Sequence, residues 1–419
     1  MTRILALIFV FTLGSASSAG AQELIRHEAT CKGAPPSVRQ TIIVLDDAAI
    51  SREPLGHPSH LAWTRPVLDA VDLLNTGASG RLAPQERVSI LLARRSTGDL
   101  AQVFVGCSPN LDAAEIEKMR SERSSISAFI FGSLEKDLEA RRKGFDGSVR
   151  DSFAQMRRAV GESPVSATND LKGLVPALRL LSQAIDLSLG APRIVLISPL
   201  TMNPGAFADM KAARIAGFAD GADAGVDFHR AEIAIIGATG SSDPKAKAYT
   251  ESFFLRSKAL VIGWRTDGLP PLTGIPTKIY FFGGSVDYGD ISAPVQIRIA
   301  ADSSGNLVNS WIEVTAGRSL ASPITGKAIC RTRDACEIKG DGRLLGQAWN
   351  PDPKERPAFD PQFAWTGMRF FEMKIEGNAA RAKISDPLVS GVNLPLANGG
   401  TKLIDAFMID VRSTEGQQF

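Results

Sequence analysis

The stretch Arg39-Gln40-Thr41-Ile42-Ile43-Val44-Leu45-Asp46-Asp47-Ala48-Ala49-Ile50-Ser51 limits what this chain can become more than any other. A short run of apolar and β-branched residues stops at two carboxylates and continues into small residues. A run without polar alternation reads as a strand buried on both faces, the kind that parallel sheets contain. Its acidic end then lies at the carboxyl edge of the sheet, where open α/β sheets place their ligands. A strand followed by an Asp-rich turn explains the same residues without a ligand.

The rest of the chain supports such a sheet. Residues 61–74 carry apolar positions at helical spacing, and 76–80 end that helix. Two strands, 88–92 and 101–105, are joined by a turn at 96–99, so short a connection that they must form an antiparallel hairpin. Asn110 is placed to cap a helix starting at 111 or 112, and a charged helical insertion runs over about 111–160 with a break near 144–147. Its charge runs, 135–137 and 141–143, suit a solvated face. Helices then alternate with strands: 168–187, 192–198, 204–217, 231–237, 244–257 and 259–264. That alternation predicts a doubly wound, mostly parallel α/β sheet of Rossmann-like architecture. Past Gly268-Leu269-Pro270-Pro271 the helical period gives way to short alternating runs, at 278–282, 295–300, 310–314, 344–349, 369–375 and 403–411. These predict a smaller all-β domain of sandwich type. The plan is a lead-in at 22–38, an α/β domain at 39–268 and a β domain at 272–419.

Residues 1–21 read as a signal peptide: Arg3, an apolar stretch at 4–13 too short to span a bilayer comfortably, and Ala19-Gly20-Ala21 as the cleavage site. No later apolar run is long enough for a transmembrane segment, so the mature chain is expected to be exported, periplasmic or secreted. Export permits disulfides. The four cysteines are Cys31, Cys107, Cys330 and Cys336. Cys330 and Cys336 are close neighbours in a hairpin, which leaves Cys31 to join Cys107. With 47 basic and 45 acidic residues the chain lacks the excess of positive charge that nucleic-acid binding calls for.

By the order of its elements and the hairpin at its edge, the segment 39–264 resembles a von Willebrand factor type A domain. The family's metal-ion-dependent adhesion site has an Asp-x-Ser-x-Ser motif after the first strand, a Thr before a later helix and an Asp after the fourth strand. Asp46 matches the motif's first Asp, with Ala48 and Ile50 where the serines belong; counted from Asp47, Ser51 keeps one of them. Ser166-Ala167-Thr168-Asn169-Asp170 resembles the threonine segment, and Ser198 stands in place of the last Asp. The resemblance thus implies a degenerate site of Asp46, Asp47, Ser51, Thr168 and Ser198, with Mg²⁺ or Mn²⁺ as its ion. It also implies a non-catalytic binding or assembly role, with another envelope or extracellular protein as partner.

Two alternatives stay open beside it. Asp46 and Asp47, with His57-Pro58-Ser59-His60 nearby, suggest a metal-assisted hydrolase or a zinc loop, although the proline argues against a shared helix and no third ligand is evident. An apolar pocket at the carboxyl edge would suit a small-molecule receptor. The loop 237–242 lacks both the Gly-x-Ser-x-Gly elbow and the phosphate-loop ending. Trp311, Trp349 and Trp365 form either a binding face or the core of the β domain.

Overall fold

The computed structural model describes residues 31, 37–50, 82–111, 113–122, 134–160, 170–200, 204–237, 243–266, 268–288, 291–316, 318–332, 334–342, 369–385, 392–395, 401–404 and 406–414. The expected helix at 61–74, the strand at 344–349, residues 1–21, Trp349 and Trp365 lie outside them.

Six strands build the first sheet: β1 (Arg39–Asp46), β2 (Arg87–Arg94), β3 (Asp99–Cys107), β4 (Ala191–Ile197), β5 (Ala231–Ile236) and β6 (Ala259–Arg265). Their order is β3-β2-β1-β4-β5-β6. Every neighbouring pair is parallel except β2 and β3, the hairpin at one edge. The unbroken apolar run of β1 is explained by the two layers it serves. Ile42 and Val44 pack with Leu174, Leu178, Ile194 and Phe253 on one face. Ile43 and Leu45 pack with Ile90, Phe104, Phe145 and Val195 on the other.

The helices are α1 (Ala113–Glu122), α2 (Leu134–Val160), α3 (Leu171–Ala184), α4 (Met210–Ala224) and α5 (Pro244–Arg256). An aspartate caps each of the last three: Asp170 accepts from the Gly173 N–H (2.9 Å), Asp209 from Ala212 (2.7 Å) and Asp243 from Lys245 (2.7 Å). Several expected boundaries move. The break at 144–147 is absent, because Phe145 and Val149 are buried and Phe145 meets the Phe104 ring edge-on at 5.6 Å, which holds α2 in one piece through its glycines. The helix expected at 204–217 begins only at Met210, after its Asp209 cap, and runs to a left-handed Gly225. Asn110 does not cap a helix; its amide donates to the Leu82 carbonyl at 3.0 Å.

The second unit is a closed barrel, not a sandwich. Its strands are β7 (Lys278–Tyr288), β8 (Ile291–Ala301), β9 (Ser310–Ala316), β10 (Arg318–Thr332), β11 (Ala335–Gly342), β12 (Arg369–Glu376), β13 (Ala379–Ser385) and, after a small β14–β15 hairpin (Val392–Pro395 and Thr401–Ile404), β16 (Ala406–Ser413). Strands neighbouring in the chain pair antiparallel, and β16 pairs with both β13 and β7, so no edge remains. Inward residues such as Ile338, Phe371, Met373, Ile384 and Ile409 share one core. Outward ones on the same strands, Glu337, Lys339, Glu372, Lys374 and Arg381, are exposed.

The barrel docks on the amino edge of the parallel strands. Arg39, at the start of β1, donates to the carbonyls of Thr273 and Gly274. Glu232, at the start of β5, accepts from the Thr273 hydroxyl and, at 2.6 Å, from the Asn309 N–H. Arg230 and Lys258 both pair with Glu313 of β9. Burial raises the Glu313 carboxyl, but those two cations more than offset it and hold the group below its usual range. Trp311 is fully buried among Phe218, Leu255 and Ala321, so it belongs to this junction and presents no binding face. Gly263 lies under the linker: a Cβ there would stand 2.4 Å from the Pro270 Cβ, so no larger residue fits.

Beneath the junction Glu86 is fully buried. It receives the guanidinium groups of Arg39 (3.0 and 3.1 Å) and Arg193 (3.2 Å), the Thr41 hydroxyl and the Ala83 N–H (2.6 Å). Burial raises its pKa, but Arg39 and then Arg193 outweigh burial and lower it. Burial in turn pulls the Arg193 guanidinium down to about 9. A carboxylate with a lowered folded pKa contributes stability at neutral pH and loses it as pH falls through that lowered value. Glu86→Gln removes the carboxylate that two buried cations share, so urea titration at neutral pH should show a loss of about 3–5 kcal/mol, narrowing in acid.

Cys31 joins Cys107, and Cys330 joins its cross-strand partner Cys336. The sequence separations are 76 and 6 residues. Chain-entropy arguments give about 4 kcal/mol for the long loop and about 2 kcal/mol for the short one. Double serine replacement at Cys31 and Cys107 should therefore lower the urea midpoint more than replacement at Cys330 and Cys336.

Candidate functional site

The carboxyl edge faces away from the barrel. Three of the residues expected there, Asp46, Asp47 and Ser198, do come together and are buried. Ser51, Thr168 and the His57/His60 loop lie outside the described residues. Asp46 ends β1, opposite Ala93 of β2, and Ser198 follows β4, its N–H donating to Ile236 at 2.9 Å. A single helical turn at Asp47–Ile50 leaves the strand, and its Ala48 N–H donates to Asp46 Oδ1 at 3.1 Å.

The group at the centre is one that no single strand of the sequence announces. Arg95, just beyond β2, turns its guanidinium onto Asp46. Nε lies 2.8 Å from Oδ1 and 3.0 Å from Oδ2, and Nη2 lies 2.6 Å from Oδ2. Nη1 donates to the carbonyl of Asp170, the cap of α3, at 2.6 Å. The Ser198 hydroxyl donates to Asp46 Oδ2 at 2.5 Å. Both charged side chains of the pair are fully buried. Asp47 plays a different part. Its carboxylate accepts the Arg95 N–H at 3.2 and 3.3 Å and so fixes the start of the hairpin turn. Its pKa is raised, first by burial and then by the charge of Asp46, against the opposing bond from Arg95.

This arrangement sets the chemistry. Asp46 accepts from four donors, so both of its oxygens are engaged. The Ser198 hydroxyl donates to a carboxylate that Arg95 already pairs with on both oxygens. A hard divalent cation needs several oxygens free to face it. Here both Asp46 oxygens already face nitrogen and hydroxyl donors, so with Arg95 in place Asp46 does not fit as a ligand of Mg²⁺ or Mn²⁺. Among the described residues no group of three His, Cys, Asp or Glu is arranged to hold a metal. A mainly apolar hollow of about 440 Å³ does exist, lined by Phe104, Cys107, Pro109, Leu111 and Phe145. It sits at the amino edge, because Cys107 is opposite Arg87, and so is not the carboxyl-edge pocket that a receptor of the expected kind would use.

No protein-family model matches the chain, and no curated protein matches it either.

The raised pKa of Asp47 means that the folded chain binds that proton more tightly than the unfolded chain. Asp47 therefore works against stability at neutral pH, and the penalty disappears as pH falls below the ordinary carboxylate range. Asp47→Asn keeps a carbonyl for the Arg95 N–H and removes the buried charge. Its urea midpoint should equal or exceed that of the parent at neutral pH, and the advantage should vanish at about pH 3, below the ordinary pKa of an aspartate side chain.

Proposed function

We propose that this chain is an exported, non-catalytic binding or assembly protein of the cell envelope, built on a von Willebrand factor A-like domain, with another envelope or extracellular protein as partner. The observation that carries this reading is the sheet itself. Its order is β3-β2-β1-β4-β5-β6 with the one antiparallel strand at the β3 edge, and the ends of β1 and β4 converge with the cap of α3 at the carboxyl edge. Two disulfides favour an oxidising compartment. No described helix is long and apolar enough to cross a membrane.

The barrel covers the amino edge, so the binding surface belongs on the opposite side, around the exposed β2–β3 turn and the first turn of α3. A photo-crosslinking residue at Thr97 or Lys172, both exposed, should trap one discrete protein adduct in the native cell, while the same residue at Lys339 on the outer barrel wall should not. Adducts from Lys339 but none from Thr97 or Lys172 would move the binding surface to the barrel and count against this reading.

A further inference from the structure

We infer that Arg95 is the resident cation of the carboxyl edge, a covalently attached counter-ion that draws the surrounding loops together and makes this edge independent of divalent metal. The inference rests on the proposed reading for what the edge is for, and on geometry alone for how it is built.

Four pieces of chain distant in sequence meet at one guanidinium. The end of β1 supplies Asp46, the loop capping α3 supplies the Asp170 carbonyl, the end of β4 contributes Ser198 through Asp46, and the β2–β3 hairpin carries Arg95 itself. A bound cation could organise these oxygens, but it would come and go with its concentration. Arg95 is part of the chain and cannot leave. Its planar fork also satisfies directionally what a spherical ion would satisfy by charge alone: two nitrogens on the carboxylate and a third on the carbonyl. The pair is fully buried on both sides, so water neither screens it nor replaces either partner. A divalent ion approaching Asp46 would meet the guanidinium and would have to displace donors from both carboxylate oxygens. Exchange of one cation for the other therefore requires the hairpin to open.

The test uses the oxidised full chain and Mn²⁺ as the probe, and it reads metal and stability, not partner capture, so that this inference and the proposed function fail separately. Calorimetric titration with Mn²⁺ should give no saturable heat, and the melting temperature should be the same in Mn²⁺ and in EDTA. Arg95→Met, which strands a buried carboxylate, should melt about 5–10 °C lower. Adding Asp46→Asn to it should restore most of that loss, since the uncompensated charge goes with it. If Arg95→Met does not fold, folding of the double variant carries the same meaning. Saturable Mn²⁺ binding by the parent that disappears in Asp46→Asn would overturn the inference. So would an Arg95→Met melting temperature equal to the parent's, or a defect that the second substitution leaves unrelieved.

Discussion

The burial of the Glu86 carboxylate is the constraint on which the amino half of this molecule depends. A charge with no exposure must be matched inside the protein, and the match comes from Arg39 and Arg193, the first and third residues of the adjacent strands β1 and β4. Arg39 also donates to the Thr273 and Gly274 carbonyls of the linker, and Arg193 also feels the charge of Glu232, which accepts from the Thr273 hydroxyl and the barrel's Asn309 N–H. The barrel is thus fixed to the sheet by the same polar network that makes the buried glutamate tolerable, with Trp311 and Phe218 adding an apolar seal beside it.

The opposite edge meets the same problem with fewer parts. Asp46 is as buried as Glu86, but one arginine neutralises it, and the residual donors come from a serine and a backbone amide. The two edges therefore differ in consequence. At the amino edge the network reaches outward into a second unit. At the carboxyl edge the network joins the ends of neighbouring strands, and the tip of the β2–β3 hairpin beside it is exposed.

Most of the first sheet was legible because its signals are local. An apolar run ending in Asp46-Asp47 and a turn too short for anything but a hairpin each report on a few neighbouring residues. The barrel was harder. Alternation along β8 or β12 marks a strand with one buried face, but a sandwich and a barrel alternate alike. What separates them is the pairing of β16 with β7, between segments more than a hundred residues apart. The site divides the same way. Asp46, Asp47 and Ser198 could be placed from the ends of their own strands. Arg95 could not, since its role exists only once β1 and β2 lie side by side. A trace was present all the same: Arg94-Arg95 directly after an apolar strand mirrors Asp46-Asp47 after its parallel neighbour, and opposite charges at matched strand ends are candidates for each other.

The bond between Arg39 and the linker carries a consequence for how the molecule is made. Its ends are 234 and 235 residues apart. A chain that emerges from its amino terminus delivers β1 first, yet the carbonyls that complete the first residue of β1 arrive after every strand of that sheet has been synthesised. Until then the guanidinium of Arg39 lacks the two linker carbonyls that it meets in the finished fold. The oldest strand of the sheet is thus the last to be finished, and the step that finishes it is the one that positions the linker for the barrel to follow.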